Sequence, residues 1–169
     1  MNRQGDLFQF DNYRIVKDTQ VVVNYHRDLD DVPLHRHNFI EVALIEAGHG
    51  WHVLNGIPML ARPGDLFVVD HGDVHYYMAE FDSKLFIYNL IFRPGFFDLS
   101  LIGAQSFADV VDHPLLRTFR DDGFDHSLVC RFEGAEYDKA LGLFQNMLRE
   151  YENHEPGFEE LIRSWAVEV

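Results

Sequence analysis

The chain has one cysteine, Cys130, in 169 residues. A lone thiol excludes an internal disulfide framework and points to a reducing, cytoplasmic compartment. No run of about 18 apolar residues occurs, so no segment reads as a membrane-spanning helix. The opening Met1-Asn2-Arg3-Gln4-Gly5-Asp6 lacks the apolar stretch of a secretion signal. Positive charge is scarce: 14 Lys and Arg stand against 28 Asp and Glu, a net charge of −14 with a pI near 4.9. So acidic a surface repels phosphate backbones, whereas a nucleic-acid grip is normally basic. These residues are not expected to hold DNA themselves. A P-loop, a dinucleotide fingerprint, a CxxC pair and a G-x-S-x-G nucleophile setting are all missing, as are internal repeats.

What is present is a packed core and many turns. Apolar residues make up 47% of the chain, with 15 Phe, enough for one domain with an appendage. Val21–His26, a long segment over 34–46, Trp51–Leu54, Ile57–Ala61, Leu66–Val69, Val74–Ala79 and Lys84–Arg93 read as strands. Asp28–Pro33 reads as an acidic turn. Asn55-Gly56 is the strongest hairpin signal, because both residues tolerate the positive φ of a type I′ turn. Pro58 lacks a donor and belongs on an edge. Strands recurring with turns about every 8–12 residues predict a sandwich or barrel.

Ten histidines are present, and four polar residues stand out by spacing. His35, His37 and Glu41 are separated by even steps, followed by Gly48; His75 closes a second cluster that begins at Gly64 and passes Gly72. If 34–46 is one regular strand, His35, His37 and Glu41 share a face. Three imidazoles and a carboxylate suit Zn, Ni, Fe or Mn. A carboxylate facing a barrel interior is costly unless a metal, a polar ligand or a hydrogen-bond network pairs with it.

These paired clusters resemble the two motifs of the cupin superfamily, with Leu29, Asp70 and Ala79 departing from its usual Gly, Pro and Asn. His52-Val53-Leu54-Asn55, Pro58, Gly64-Asp65-Leu66-Phe67 and His75-Tyr76-Tyr77 resemble, more narrowly, the effector-binding domain of AraC-family transcription regulators, in particular their L-rhamnose-responsive branch. The resemblance covers roughly residues 15–100. It implies a double-stranded β-helix, the cupin or jelly-roll barrel, followed by an antiparallel α-helical pair. It also implies an effector-sensing role without catalysis; a metal-dependent dioxygenase or sugar isomerase is the alternative within the fold.

For a sugar effector, hydroxyls pair with polar groups in an otherwise apolar pocket, and C–H faces lie on aromatic rings. His35, His37, Glu41 and His75 are the expected polar contacts, and also the expected ligands of one divalent metal if one binds. Tyr77 shares a strand face with His75 and is an expected platform. Trp51 reads equally as platform or core.

Beyond the barrel, a packed connector with a short helix is expected over Phe96–Leu99 and Val110–Leu116, then a last strand near Ser127–Phe132. Tyr137, Leu141, Phe144, Leu148 and Tyr151 fall at spacings of four, three, four and three along a helix over 133–153. Pro156-Gly157 breaks it, and Phe158, Leu161, Ile162, Trp165 and Val169 begin a second stripe. Such stripes pack either on the barrel or on a partner subunit, and the resemblance implies a homodimer through these five residues. The expected organisation is an effector-binding barrel with connector over 1–132 and a dimerising helical segment over 133–169. Ser164–Val169 carries no helix stop signal, so a DNA-binding helix-turn-helix domain is expected beyond it.

Overall fold

The structure, a computed structural model, is described for residues 6–97 and 128–169. Its strands are β1 (Asp6–Phe8), β2 (Val21–Leu29), β3 (Asp31–His37), β4 (Ile40–Ala47), β5 (Gly50–Leu54), β6 (Ile57–Ala61), β7 (Asp65–Val69), β8 (Val74–Ala79), β9 (Leu85–Phe92) and β10 (Leu128–Arg131). Two helices follow, α1 (Gly134–Asn153) and α2 (Phe158–Ala166). The strands form two five-stranded sheets, in the orders β1-β3-β8-β5-β6 and β10-β7-β4-β9-β2. The fold is therefore the expected mainly β barrel of double-stranded β-helix type with a helical tail. The connector expected at Val110–Leu116 lies outside the described residues.

Turn chemistry sets the register. Asn55 and Gly56 take φ of 51° and 84°, and the β5–β6 hairpin they close pairs Leu54 with Ile57 and Val53 with Pro58. Pro58 lies on the edge strand β6, where its missing donor breaks no ladder. Gly48 has φ of 88°, and a Cβ there would fall 1.7 Å from the Lys84 carbonyl oxygen, so only glycine fits between β4 and β9.

Two readings of the sequence are corrected. Asp28–Pro33 is not a turn: β2 runs to Leu29 and β3 begins at Asp31. The segment 34–46 is not one strand. The chain bends at Asn38 and Phe39, so β3 joins the first sheet beside β8 while β4 joins the second between β7 and β9.

The barrel interior is packed at one end by Ala43, Ile45, Ala61, Phe67, Tyr77, Leu85 and Ile87. The helices cover the second sheet. Ala140, Phe144, Met147, Tyr151 and Ile162 are buried in one cluster with Val22, Tyr88 and Leu90. An ion pair at 3.6 Å joins Lys139, near the start of α1, to Glu168, just past α2, as an antiparallel pair requires. Tyr137 donates to the Glu46 carbonyl (2.8 Å), and the Tyr151 hydroxyl accepts from the Ile15 amide (3.1 Å). Among the described residues no helix is long and apolar enough to cross a membrane.

The expected dimerisation stripe is corrected in part. Phe144 (0% exposed) and Tyr151 (2%) are spent inside this chain's own core and are closed to a partner. Tyr137, Leu141 and Leu148 are half-buried. On α2, Leu161 is 44% exposed.

Candidate functional site

The bend at Asn38–Phe39 builds the site. It places His35 and His37 on the inner face of one sheet and Glu41 on the inner face of the other, so they meet across the interior. β3 pairs with β8 with His35 opposite His75, which brings in the fourth residue from a distant stretch of chain. His35, Glu41 and His75 each offer a ligand atom within 4.8 Å of the others, and all three are buried. His37 stands beside this group, its Nε2 3.7 Å from Glu41 Oε2. That separation is too long for a hydrogen bond.

The protons can be assigned from partners. His35 Nδ1 lies 2.8 Å from the Pro33 carbonyl oxygen, and His37 Nδ1 lies 2.7 Å from that of Phe39. A carbonyl only accepts, so both rings carry their proton on Nδ1 and present Nε2 as a lone pair. Burial lowers the pKa of His35, and takes that of His37 down to about 4. Burial likewise depresses His75 strongly, and nearby His35, His52 and His37 push the same way. The imidazoles are therefore neutral at pH 7, the form that binds metal. Burial raises Glu41 to about 7, since no cation offsets its charge. Glu41 and His37 are thus a close contact and not an ion pair at neutral pH.

Among the described residues the polar atoms His37 Nε2, His52 Nδ1, His75 Nε2, Tyr77 Oη and Asn89 Oδ1 are buried without a partner. Buried groups are normally paired, and a set of orphans around one interior marks a place suited to something else that pairs with them. A donor set of imidazole lone pairs and a carboxylate that gains by losing its proton fits a divalent metal at His35, Glu41 and His75, with His37 adjacent.

Beside the cluster opens a cavity of about 260 Å³. Its aromatic walls are Phe8, Tyr13, Phe39 and Tyr77; its polar walls include His26, His35, Glu41 and Asn89. His35 and Glu41 belong to both cavity and cluster. His37 and His75 are buried but do not line the cavity. Tyr77 is 3% exposed, lines the cavity and faces inward.

Trp51 does not belong to the site. It is 36% exposed on the outer face of the first sheet, opposite Leu60 and Met78 on the neighbouring strands. Strand alternation then turns His52 inward, where it is 0% exposed and stacked on Tyr77 at 4.2 Å.

Sequence reasoning missed His52, Asn89, Phe8 and Tyr13. Asn89 left a signal: it is the one strongly polar residue in the apolar strand Leu85–Phe92. Phe8 left none. It reaches the site because β1 pairs in parallel with β3, and it stacks on His35 at 4.4 Å.

The activator RhaR of Mannheimia succiniciproducens, an HTH-type transcriptional activator, is 34% identical over 83 residues, covering 49% of this chain and 29% of that protein. The activator RhaS of Yersinia pestis is 44% identical over 62 residues, covering 36% and 22%. The matched stretches span about a third or less of the relatives' own length. Among solved structures, a cupin protein from Bacteroides fragilis matches at a TM-score of 0.39 with 22% identity, covering 44% of this chain and 65% of that one. KdgF from Halomonas sp. matches at 0.38 with 22% identity, covering 47% and 76%. Overlaps so partial carry no weight of their own beside the sequence match to the AraC-like ligand binding domain, which extends over residues 20–165; the chain belongs to that family.

Proposed function

We propose that this chain is the effector-sensing and dimerising part of a cytoplasmic AraC-type transcription activator, with a sugar as effector. The observation that carries the reading is the set of orphaned polar atoms beside an aromatic-walled cavity. Its volume of about 260 Å³ lies below the roughly 300–1,000 Å³ typical of drug-sized ligands, which suits a monosaccharide. His35, Glu41, Asn89 and the Tyr77 hydroxyl offer hydroxyl partners, and Phe8, Tyr13 and Phe39 offer ring faces. The names of the RhaR and RhaS relatives, with the resemblance to the L-rhamnose-responsive branch, favour L-rhamnose or a related deoxy sugar.

One divalent metal, Zn, Ni, Fe or Mn, would be held by His35, Glu41 and His75, with His37 beside them. When bound, it would supply a positive charge able to polarise a ligand oxygen. The chain's own residues do the rest: Phe39 and Pro33 carbonyls fix the His37 and His35 rings, and the aromatic walls give the cavity apolar faces.

A route from cavity to helices is present. Phe8 and Tyr13 line the cavity, and two residues after Tyr13 the Ile15 amide binds Tyr151 on α1. An effector that displaces this segment changes what holds α1, and it shifts the helices only by its differential affinity for the two arrangements. The half-buried Tyr137, Leu141 and Leu148 and the exposed Leu161 are the helix positions open to a second copy. DNA binding belongs to a helix-turn-helix domain beyond this chain.

A sugar panel tested by thermal shift, on metal-stripped and metal-loaded protein, tests the reading. An effector at about 100-fold its dissociation constant adds roughly 2.7 kcal/mol of stability. Metal-dependent turnover of sugars or aromatic substrates would replace the sensor with a cupin enzyme. No response to any sugar would remove the sugar assignment.

A further inference from the structure

We infer that His52 is a positioning residue for the cluster: its Nε2 accepts the Nδ1 proton of His75 and so fixes His75 Nε2 as a lone pair. The inference rests on the reading that His35, Glu41 and His75 hold one occupant.

Backbone carbonyls settle the tautomers of His35 and His37, as described above. For His75 the hydrogen bonds show no such carbonyl. Its Nδ1 lies 3.1 Å from His52 Nε2, and its own Nε2 is buried without a partner. Two imidazoles share one proton in that contact. If His75 donates, its Nε2 is a lone pair and the cluster presents three imidazole lone pairs beside Glu41. If His52 donates, His75 Nε2 carries an N–H, which repels a cation and blocks coordination. A divalent ion on His75 therefore demands an acceptor at His52 Nε2. The partner on the non-ligating nitrogen commonly sets tautomer, orientation and basicity of a ligand histidine.

His52 is held for this task. It is 0% exposed, stacked on Tyr77 at 4.2 Å with planes 10° apart, and meets Phe67 near edge-on at 4.6 Å and 76°. Its remaining nitrogen, Nδ1, has no hydrogen-bond partner among the described residues. As packing alone, an imidazole here is a poor choice, because a buried polar atom left unpaired destabilises. Among the described residues its one polar contact is the one to His75.

The experiment uses the ¹⁵N-labelled chain and zinc. Long-range ¹H–¹⁵N spectra of the imidazoles report which nitrogen carries the proton, first without metal and then through a zinc titration. The expected result is a protonated Nδ1 on His75 in both states. His52→Gln, whose Oε1 still accepts, keeps this tautomer and binds zinc within a few-fold of the parent. His52→Phe loses the preference and binds zinc about 10- to 100-fold more weakly, the usual effect of losing such a partner. Retained His35 and His37 tautomers in His52→Phe show that its fold survives. A parent chain with His75 protonated on Nε2 overturns the inference without any variant. So does His52→Phe with unchanged tautomer and zinc affinity. A parent chain that binds no zinc ends the metal reading, while the His75 tautomer still decides the role of His52.

Discussion

Glu41→Gln is the perturbation that separates a functional carboxylate from a structural one. Burial lifts Glu41 from an ordinary value of 4.5 to about 7. At about 1.4 kcal/mol per unit, ionising it in place costs the fold up to about 3 kcal/mol, and water reaching the cavity lowers that figure. The unfolded chain releases this proton near 4.5, the folded chain only near 7, so between those values the folded state holds the extra proton. Stability therefore falls as pH rises through this window and carries the full penalty above it. Glutamine mimics the protonated acid in shape and never ionises. In urea unfolding with a chelator present, Glu41→Gln should exceed the parent by about 2–3 kcal/mol at pH 8, and the gap should close towards pH 4.5. Zinc at about 100-fold its dissociation constant should add roughly 2.7 kcal/mol to the parent and far less to the variant. A gap that does not change with pH would refute the reasoning, because the destabilising charge would then not be that of Glu41.

Other outcomes follow from the same geometry. Apparent zinc affinity should fall about tenfold per unit as pH drops below about 7, because Glu41 must release its proton to bind; competition titration from pH 5 to 8 measures this. Burial holds His37 at about 4 and His52 at about 3, below the ordinary 6.5, so their contribution is complete above 6.5 and is lost as pH falls through their folded values. On the order of 3 kcal/mol from His37 alone should be visible as acid destabilisation in urea unfolding at successive pH values. Tyr77→Phe removes a buried orphan hydroxyl, so unfolding of the free chain should show it as stable as the parent or more so, while the effector's thermal shift shrinks. Phe144→Ala should lose about 3–5 kcal/mol by opening the core beneath α1. Leu141→Glu should leave the monomer folded and weaken association in sedimentation; the reverse pattern would place the dimer contact elsewhere.

Much of the fold was legible because it is written in local chemistry. Asn55-Gly56 can hardly avoid its turn, and Pro156-Gly157 cannot continue α1. Helix spacing placed a stripe on one face, but the face it buries is this chain's own barrel at Phe144 and Tyr151. Period two could say that Trp51 and His52 point opposite ways; it could not say which way is in. That is fixed only when β5 is flanked by β6 and β8 and the outer row Leu60-Trp51-Met78 is set.

Spacing and motif in the sequence alone singled out His35, His37, Glu41 and His75, and the structure puts a ligand atom of His35, Glu41 and His75 within 4.8 Å of one another. Their meeting was decided by tertiary structure, and not by the route that even spacing implied. The chain leaves one sheet at Asn38–Phe39 and enters the other, so Glu41 faces His35 across the barrel rather than lying beside it on one strand. His52, Asn89 and Phe8 join through long-range pairing, because strand register and sheet closure depend on partners far along the chain, and no local spacing encodes them.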